Sequence, residues 1–277
     1  MGKPLPLILS IPHGGMHVPK ELTDSYLPSL QETLTDGDLW TRYLFDFGDF
    51  IAHTVAADIP RLIVDLNRDK SDFRPDGVVK QITLRLNPVW KTFPHGDALK
   101  HLLQTYYDPY YDKLHHATND QNVKIGIDCH SMLPSDPFDK NALKRPLFCL
   151  SNRGNASGEY EGEPLSCPAE LLVDFKEILE ESFGKDTVLL NAPFQGGQII
   201  KTMGGLRNIP WFQLEINRKL YEPDRKAKPV QPTATERRKL DALKGKLFHC
   251  LSNIAFENPL YSTALHTEKP LKKPIIP

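Results

Sequence analysis

Hydrophobic residues along this chain are concentrated in short runs of about strand length. Most of these runs are apolar on both faces rather than alternating, which is typical of strands in a sheet that helices cover on both sides. The runs predict strands at residues 5–11, 61–66, 124–129, 146–151, 187–192 and 211–216. The pattern therefore indicates a central sheet with two buried faces.

Between these runs, apolar residues recur at spacings of three and four, as on one face of a helix. This spacing predicts helices at residues 38–57, 98–116, 171–183 and 233–255. Pro109 is expected to kink or divide the second helix, and Gly184 to end the third. Alternating strands and helices predict an α/β fold of three layers (α/β/α) around a mostly parallel central sheet.

The organisation of the chain predicts one domain over residues 1–277, because there is no internal repeat and no interdomain linker. Residues 69–96 and 152–168 are polar and rich in Gly or Pro, and strands resume after both. We therefore predict that they are loops over a site. The Pro- and Lys-rich end, about residues 266–277, is expected to be a flexible tail.

Composition and charge narrow the class of protein. Hydrophobic residues make up 40% and charged residues 25% of the 277 residues, which is ordinary for a globular protein. The formal net charge of −1 gives no long-range attraction to nucleic acid or to an anionic membrane. The four cysteines are scattered and form no CxxC pair, which favours buried thiols in a reducing compartment. These features predict a cytoplasmic protein without a nucleic-acid or membrane partner.

Polar side chains follow several of the predicted strands, where open α/β sheets bind their ligands. They are His13 after the first strand, Asp65, Asn67, Arg68 and Asp69 after the second, Asp128, His130 and Ser131 after the third, Gly196, Gly197 and Lys201 after the fifth, and Glu215, Asn217 and Arg218 after the sixth. Each has an ordinary structural explanation, but together they predict one site.

His13 and His130 are the candidate metal ligands. A catalytic zinc ion typically takes three protein ligands, often including imidazole and carboxylate groups. The chain has no HExxH motif, so a third ligand must come from elsewhere, and the stretch TDGDLW offers Asp36 and Asp38. Equally, Asp36 could cap a helix and Asp38 could favour the helix dipole. The residues themselves leave these alternatives open.

Glu215 stands late in an apolar strand, where a carboxylate is costly to bury unless it is paired. It could act as a general base and then as an acid, or it could form an ion pair with Arg218 or Arg68. Arg68, Arg218 and Lys201 indicate an anionic substrate, or else they balance nearby acids.

The Gly196–Gly197 pair could allow close approach of a substrate, or it could form an ordinary turn. Asp128 shares a strand face with His130 and could support it, or it could orient another ligand through a hydrogen bond. Cys129 should point to the opposite face of the strand.

Six motifs, in order, resemble the N-formylglutamate amidohydrolase family. They are SIPHGG, TDGDLW, VDLNRD, IDCHSM, PFQGGQIIKTMG and QLEINRKLY, and they span residues 10 to about 221. VDLNRD and IDCHSM also resemble zinc hydrolases of the aspartoacylase and carboxypeptidase type. The resemblance implies an α/β zinc-hydrolase fold, of the phosphorylase/hydrolase-like type, with one divalent metal ion at the carboxyl ends of the strands.

The resemblance also implies roles for particular residues. His13 and His130 match the metal-ligand histidines, Asp36 is the preferred third ligand with Asp38 as the alternative, and Glu215 matches the catalytic glutamate. Asn67 and Arg68 match a pair that binds a substrate carboxylate or polarises the scissile carbonyl. There are departures: Met16 occupies the usual position of the wider group's acidic ligand, Lys201 stands where formylglutamate enzymes tend to carry Arg, and the loop after LNRD differs.

The resulting hypothesis is a zinc-dependent amidohydrolase that removes an N-formyl or other N-acyl group from an acidic amino acid such as N-formyl-L-glutamate. Arg68, helped by Arg218 or Lys201, would hold the substrate carboxylate. Two alternatives remain. One is a carboxypeptidase or amidase acting on another N-acyl amino acid or small peptide. The other is a non-catalytic homologue that binds an anionic ligand.

Overall fold

A mixed sheet of six strands forms the centre of the protein. In the computed structural model, which describes residues 3–138, 144–222 and 228–256, the strands are β1 (Leu5–Ile11), β2 (Ile51–Ala56), β3 (Ile125–Met132), β4 (Phe148–Ser151), β5 (Val188–Leu190) and β6 (Trp211–Asn217). Their order in the sheet is β2-β1-β3-β6-β4-β5. The pairs β1–β2, β1–β3, β3–β6 and β4–β5 are parallel, and β4–β6 is antiparallel. The prediction of a mostly parallel sheet is confirmed.

Helices occupy both sides of this sheet. They are α1 (Leu30–Asp36), α2 (Thr41–Leu44), α3 (Asp97–Leu102), α4 (Asp108–Thr118), α5 (Ala169–Phe183), α6 (Gln198–Met203) and α7 (Ala234–Phe256). A π-helical turn, Leu103–Tyr107, joins α3 to α4 just before Pro109, whose missing N–H cannot continue an α-helix. The predictions for residues 98–116, 171–183 and 233–255 are therefore confirmed, and Gly184 ends α5 at φ +105°. Within the described residues, none of the helices combines the length and apolar character needed to span a lipid bilayer.

The described residues form two separate hydrophobic cores, and alternate residues of β1 enter different cores. Leu7 and Leu9 of β1 lie in one core with side chains of α5 and α7, whereas Ile8 lies in the other with side chains of α4 and α6. Cys129 lies in the first core, on the face of β3 expected for it. All four cysteines are free and buried, as predicted. The extent of the domain over residues 1–277 stays a prediction, and the proposed tail at 266–277 lies outside the described residues.

The predicted helix at residues 38–57 is wrong. This segment contains only the short α2, then a 3-10 turn that includes Gly48 at φ +53°, then β2 at the edge of the sheet. Asp36, a proposed cap of that helix, instead ends α1. The β-branched residues Ile51, Thr54 and Val55 suit a strand, and hydrogen bonding to β1 decides the outcome. The spacing of apolar residues alone did not separate the two possibilities.

The predicted strand at residues 61–66 is also wrong. The segment is a series of turns, and Leu62, Ile63 and Val64 are fully buried in the second core without joining the sheet. Asp65 N donates instead to Val78 O of the following loop, at 2.7 Å. The polar residues that follow, including Asn67 and Arg68, therefore lie on a loop rather than at the end of a strand.

Close packing between β3 and β6 generates a testable prediction at Gly126. A Cβ atom there would lie 2.1 Å from the buried ring of Trp211, its partner in the neighbouring strand. Gly126→Ala should therefore lower the free energy of unfolding by about 1–3 kcal/mol, measured by urea denaturation. Gly245→Ala is the matched control. Gly245 lies inside α7, and a Cβ atom there would meet no neighbouring atom within 4 Å. Gly245→Ala should therefore raise the free energy of unfolding by about 0.5–1 kcal/mol. Equal effects of the two changes would contradict this packing.

Candidate active site

The carboxyl ends of β1 and β3 bring two buried histidines together. β1 and β3 are adjacent and parallel, so that residues following one strand meet residues at the end of the other. His13 follows β1, and His130 lies near the carboxyl end of β3, two residues before Met132. Their ring centroids are 4.7 Å apart, and both side chains are only 3% exposed. The structure thus unites the two histidines that the sequence singles out.

Asp38 supplies the carboxylate of this group. Its Oδ2 atom lies 3.1 Å from His130 Nδ1 and 3.6 Å from His13 Nδ1. Its backbone N–H donates to His13 O at 2.9 Å, which holds the segment against the end of β1. Among the described residues, His13, Asp38 and His130 form a set whose ligand atoms all lie within 4.8 Å of one another.

Asp36, the preferred acidic ligand at the sequence level, lies outside this set. It is the last residue of α1, and its carboxylate accepts a hydrogen bond from Leu84 N at 2.8 Å. Burial raises its pKa. Gly37 separates the two acids, and only Asp38 contacts the histidines, whereas Asp36 contacts the backbone of Leu84. The geometry therefore favours Asp38, the alternative ligand.

The donor atoms and their surroundings fit a divalent metal ion. His13 Nδ1 is buried and has no hydrogen-bond partner, although it faces Asp38. The opposite nitrogens contact carboxylates: His13 Nε2 lies 2.7 Å from Asp65, and His130 Nε2 lies 2.8 Å from Asp128. A carboxylate behind a histidine orients the ring and leaves the other nitrogen free to bind metal. The sequence suggested this role for Asp128 but not for Asp65.

A buried network of charges supports these contacts. Asp65 is fully buried and accepts from Arg61 Nη2 at 2.7 Å, and Lys80 Nζ lies 3.2 Å away. Burial would raise the pKa of Asp65, but Arg61, His13 and Lys80 together hold it well below its usual value. Asp128 accepts from Ser10 Oγ at 2.8 Å. The acids behind both histidines are therefore themselves fixed in place.

Glu215 lies beside His130 on the neighbouring strand, as its paired residue in the β3–β6 ladder. Gln213 Nε2 donates to Glu215 Oε1 at 3.0 Å. Burial raises the pKa of Glu215 to about 7. The expected alternative, an ion pair with Arg68 or Arg218, is not what the structure shows for those arginines, which contact Asp76 and Asp38. A carboxyl group with a pKa near neutrality suits proton transfer.

A cleft of about 670 Å³ opens over this group. Most of the predicted substrate-binding residues line it: Asn67, Arg68, Gly196, Gly197 and Arg218. Lys201 does not, because it lies exposed on α6. Leu84 of the predicted loop 69–96 borders the cleft as expected, whereas no residue of 152–168 does.

Within the cleft, Asn67 and Arg218 have structural partners of their own. Asn67 Oδ1 accepts from Ile199 N at 2.9 Å, and the Asn67 side chain occupies the space that a Cβ of Gly197 would fill. Arg218 donates to Ser131 Oγ, to Thr35 O and to Gly37 O. Arg218 thus holds the Asp38 segment in place rather than presenting its guanidinium to the cleft.

Other cleft residues were not singled out from the sequence. Gln213, which donates to Glu215, shares one face of β6 with it, and the alternation of a strand could have revealed this. Arg145 lines the cleft from the segment before β4. No motif marks that position, because only the tertiary structure brings it to the site.

Comparisons with known proteins identify one family of similar proteins. The family model of N-formylglutamate amidohydrolase matches residues 5–222. The N-formylglutamate deformylase of Pseudomonas putida is 29% identical over 233 residues, covering 78% of this chain and 82% of that protein. The corresponding Pseudomonas aeruginosa enzyme is 26% identical with the same coverage. The crystal structure of N-formylglutamate amidohydrolase from Ralstonia eutropha JMP134 has a TM-score of 0.71 at 19% identity, over 92% of this chain and 94% of that one, and shows the same fold.

Metal-binding affinity distinguishes the roles of Asp36 and Asp38, the two acids of the TDGDLW stretch. Asp38→Asn should weaken binding of Co²⁺ or Zn²⁺ more than the roughly 10- to 100-fold typical of losing an outer partner, since it removes a direct ligand. Asp36→Asn should change the affinity less than about tenfold. Competition titration against a chelator measures both constants. Weaker binding by the Asp36 variant than by the Asp38 variant would reassign the ligand.

The acids behind the histidines generate a second prediction. Asp65→Asn and Asp128→Asn should each lower metal affinity by about 10- to 100-fold, because each keeps the shape but loses the charge that orients a ring. The control is Asp58→Asn, an acid 73% exposed and paired with Arg42. Unchanged affinity in both buried variants, with the fold intact by circular dichroism, would argue against this support.

Proposed function

Because the chain belongs to the N-formylglutamate amidohydrolase family, we propose that it is a zinc-dependent hydrolase that cleaves the N-formyl amide bond of N-formyl-L-glutamate. The prediction of an enzyme that hydrolyses a linear C–N amide bond is confirmed by its relatives. The observation that carries the finer proposal is the buried His13–Asp38–His130 set with Glu215 beside it.

His13, Asp38 and His130 would hold the zinc ion. Two imidazoles and one carboxylate are a donor set that catalytic zinc uses, with a further position left for water or substrate. When bound, the ion would polarise the substrate carbonyl and lower the pKa of a water molecule toward ~7. The unpartnered Nδ1 of His13 supports this assignment.

Glu215 is the proposed proton-transfer residue. It would accept a proton from the attacking water and pass it to the amine as the C–N bond breaks. Its burial and its raised pKa, about 7, suit both directions of transfer. Gln213, which donates to Oε1, would keep the carboxylate oriented.

Arg68 is the proposed anchor for a substrate carboxylate, with Asn67 next to it. Arg68 lines the cleft with its side chain 33% exposed, and its contact with Asp76 is to an acid 68% exposed. A substrate carboxylate can therefore replace or share that contact. Gly196 and Gly197 also line the cleft, and the Asn67 side chain fills the space that a Cβ of Gly197 would take, so the glycine allows close approach of Asn67 rather than of a substrate.

A second candidate, an amidase on a larger N-acyl amino acid, is favoured by one observation. The cleft is in the size range that accommodates whole cofactors or drug-sized ligands, and formylglutamate is small by comparison. A panel that varies the acyl group at constant glutamate would rank the two candidates by kcat/KM. Zinc binding without turnover of any member would favour a non-catalytic homologue instead.

Metal removal and a conservative change at Glu215 test the mechanism together. Dialysis against a chelator should abolish hydrolysis of N-formyl-L-glutamate, and Zn²⁺ should restore it. Glu215→Gln should lower kcat by about 10²- to 10⁴-fold, the usual contribution of general acid–base catalysis. Formate release measures both effects.

The matched control is Glu177→Gln on the exposed face of α5, which should retain full activity. The Glu215 variant should still bind zinc, because Glu215 is not in the proposed ligand set. Undiminished turnover by that variant, or by the metal-free protein, would overturn the mechanism.

A further inference from the structure

The cleft is lined by four arginines that differ in how firmly their guanidinium groups are paired. They are Arg61, Arg68, Arg145 and Arg218. Arg61 donates to the buried Asp65 at 2.7 Å, and Arg218 is buried and bonded to three oxygens of the Asp38 segment and β3. These two arginines belong to the framework of the site.

Among the partners that the described residues offer, those of Arg145 are the weakest of the four sets. Its Nη2 lies 3.6 Å from Asp136 Oδ2, beyond hydrogen-bond distance, and Asp136 is 45% exposed. Its Nη1 donates to Leu133 O at 3.4 Å, which is long for a hydrogen bond. The Arg145 side chain is nevertheless only 13% exposed. Within residues 3–138, 144–222 and 228–256, the Arg145 guanidinium has lost most of its water without gaining a close anion, and such a group is suited to bind one.

Backbone hydrogen bonds hold Arg145 next to the ends of β3 and β6, the strands of His130 and Glu215. Its backbone N–H donates to Pro134 O, in the loop after β3, at 3.0 Å. Its backbone carbonyl accepts from Asn217 Nδ2 at 3.2 Å, and Asn217 follows Glu215 by two residues at the end of β6. The backbone of Arg145 is therefore tied to the segment after the strand of His130 and to the end of the strand of Glu215.

An aromatic ring holds the guanidinium itself. Arg145 Cζ lies 5.0 Å from the ring centroid of Phe194, within the range of cation–π attraction. Phe194 also lines the cleft, and its carbonyl accepts from Ser151 Oγ at 2.7 Å. The planar group is thus held against the cleft wall while its donors remain weakly engaged.

Arg68 and Arg145 belong to segments on opposite sides of the central β3–β6 pair. Arg68 belongs to the segment that contacts His13 after β1, whereas Arg145 precedes β4 on the other side of β6. Resting on the proposed function, we infer that Arg145 determines specificity by binding one carboxylate of an N-acyl dicarboxylic amino acid, while Arg68 binds the other. This division explains how the cleft can recognise two carboxylates although Lys201 lies outside it and Arg218 is structurally engaged.

Two monoamides of the substrate test this division. N-formylglutamine lacks the side-chain carboxylate, and N-formylisoglutamine lacks the α-carboxylate. Arg145→Gln should lower kcat/KM for N-formyl-L-glutamate about 10- to 100-fold, mainly through KM, as expected when a charge-assisted hydrogen bond is lost. The same variant should leave kcat/KM for one monoamide unchanged, and Arg68→Gln should spare the other.

Asp136→Asn should change KM in the opposite direction from Arg145→Gln. It removes the acid that faces Arg145 but keeps the side-chain oxygen that accepts from Phe138 N. The affinity of Arg145 for a substrate carboxylate should rise, and KM should fall about two- to fivefold, the range expected for a partly exposed ion pair. A purely structural role of Arg145 would not predict a gain. Arg153→Gln, which removes an arginine paired with Glu163 outside the cleft lining, is the control and should leave KM unchanged.

Direct binding separates this inference from the proposed function. Calorimetry with glutarate, a dicarboxylate without an amide bond, should show binding that Arg145→Gln weakens about 10- to 100-fold. If glutarate binds in this way but no N-formyl substrate turns over, the dicarboxylate site stands and the proposed function fails. If turnover is intact and Arg145→Gln keeps its discrimination against both monoamides, the function stands and the inference is overturned. Absence of both binding and turnover overturns both.

Discussion

Four buried carboxylates around two histidines are the constraint on which this structure depends. Asp38, Asp65, Asp128 and Glu215 are each less than 10% exposed and lie at the ends of adjacent strands or in the loops against them. Such a concentration of negative charge is unfavourable unless cations or hydrogen bonds compensate it. The histidines, Arg61, Lys80 and Arg218 supply part of that compensation, and a divalent cation between His13, Asp38 and His130 would supply more.

Because these buried charges must be compensated, arginines and acids around the site differ in the partners they contact. Arg61 and Arg218 contact the buried acids Asp65 and Asp38, and so they hold the His13–Asp38–His130 set in position. Arg68 and Arg145 line the same cleft but contact more exposed acids, Asp76 and Asp136. Glu215 accepts a hydrogen bond from the neutral Gln213, whereas Asp38, Asp65 and Asp128 each contact a histidine nitrogen, and burial raises the pKa of Glu215. The arginines therefore differ in the exposure of the acids they contact, and the acids differ in whether a histidine contacts them.

The two errors of secondary structure share one cause. The segment 38–57 has apolar residues at helical spacing, yet its second half pairs with β1 as a strand, because the edge of the sheet offers backbone hydrogen bonds. The segment 61–66 is as apolar as a strand, yet it fills the second core through turns. In both cases the local pattern correctly predicted burial. The form of the backbone depended on which partners tertiary folding placed beside it.

The sequence by itself determined the α/β class, five of the six strands, the long helices and the family, because apolar periodicity and ordered motifs are local properties of the chain. The sequence also singled out His13, His130 and Glu215, because a polar residue at the end of an apolar run can be recognised from the sequence. Only the tertiary structure separated Asp38 from Asp36, assigned Asp65 to His13, removed Lys201 from the cleft and placed Arg145 in it. Those outcomes depend on distances between residues far apart in the chain, and spacing along a sequence does not contain such distances.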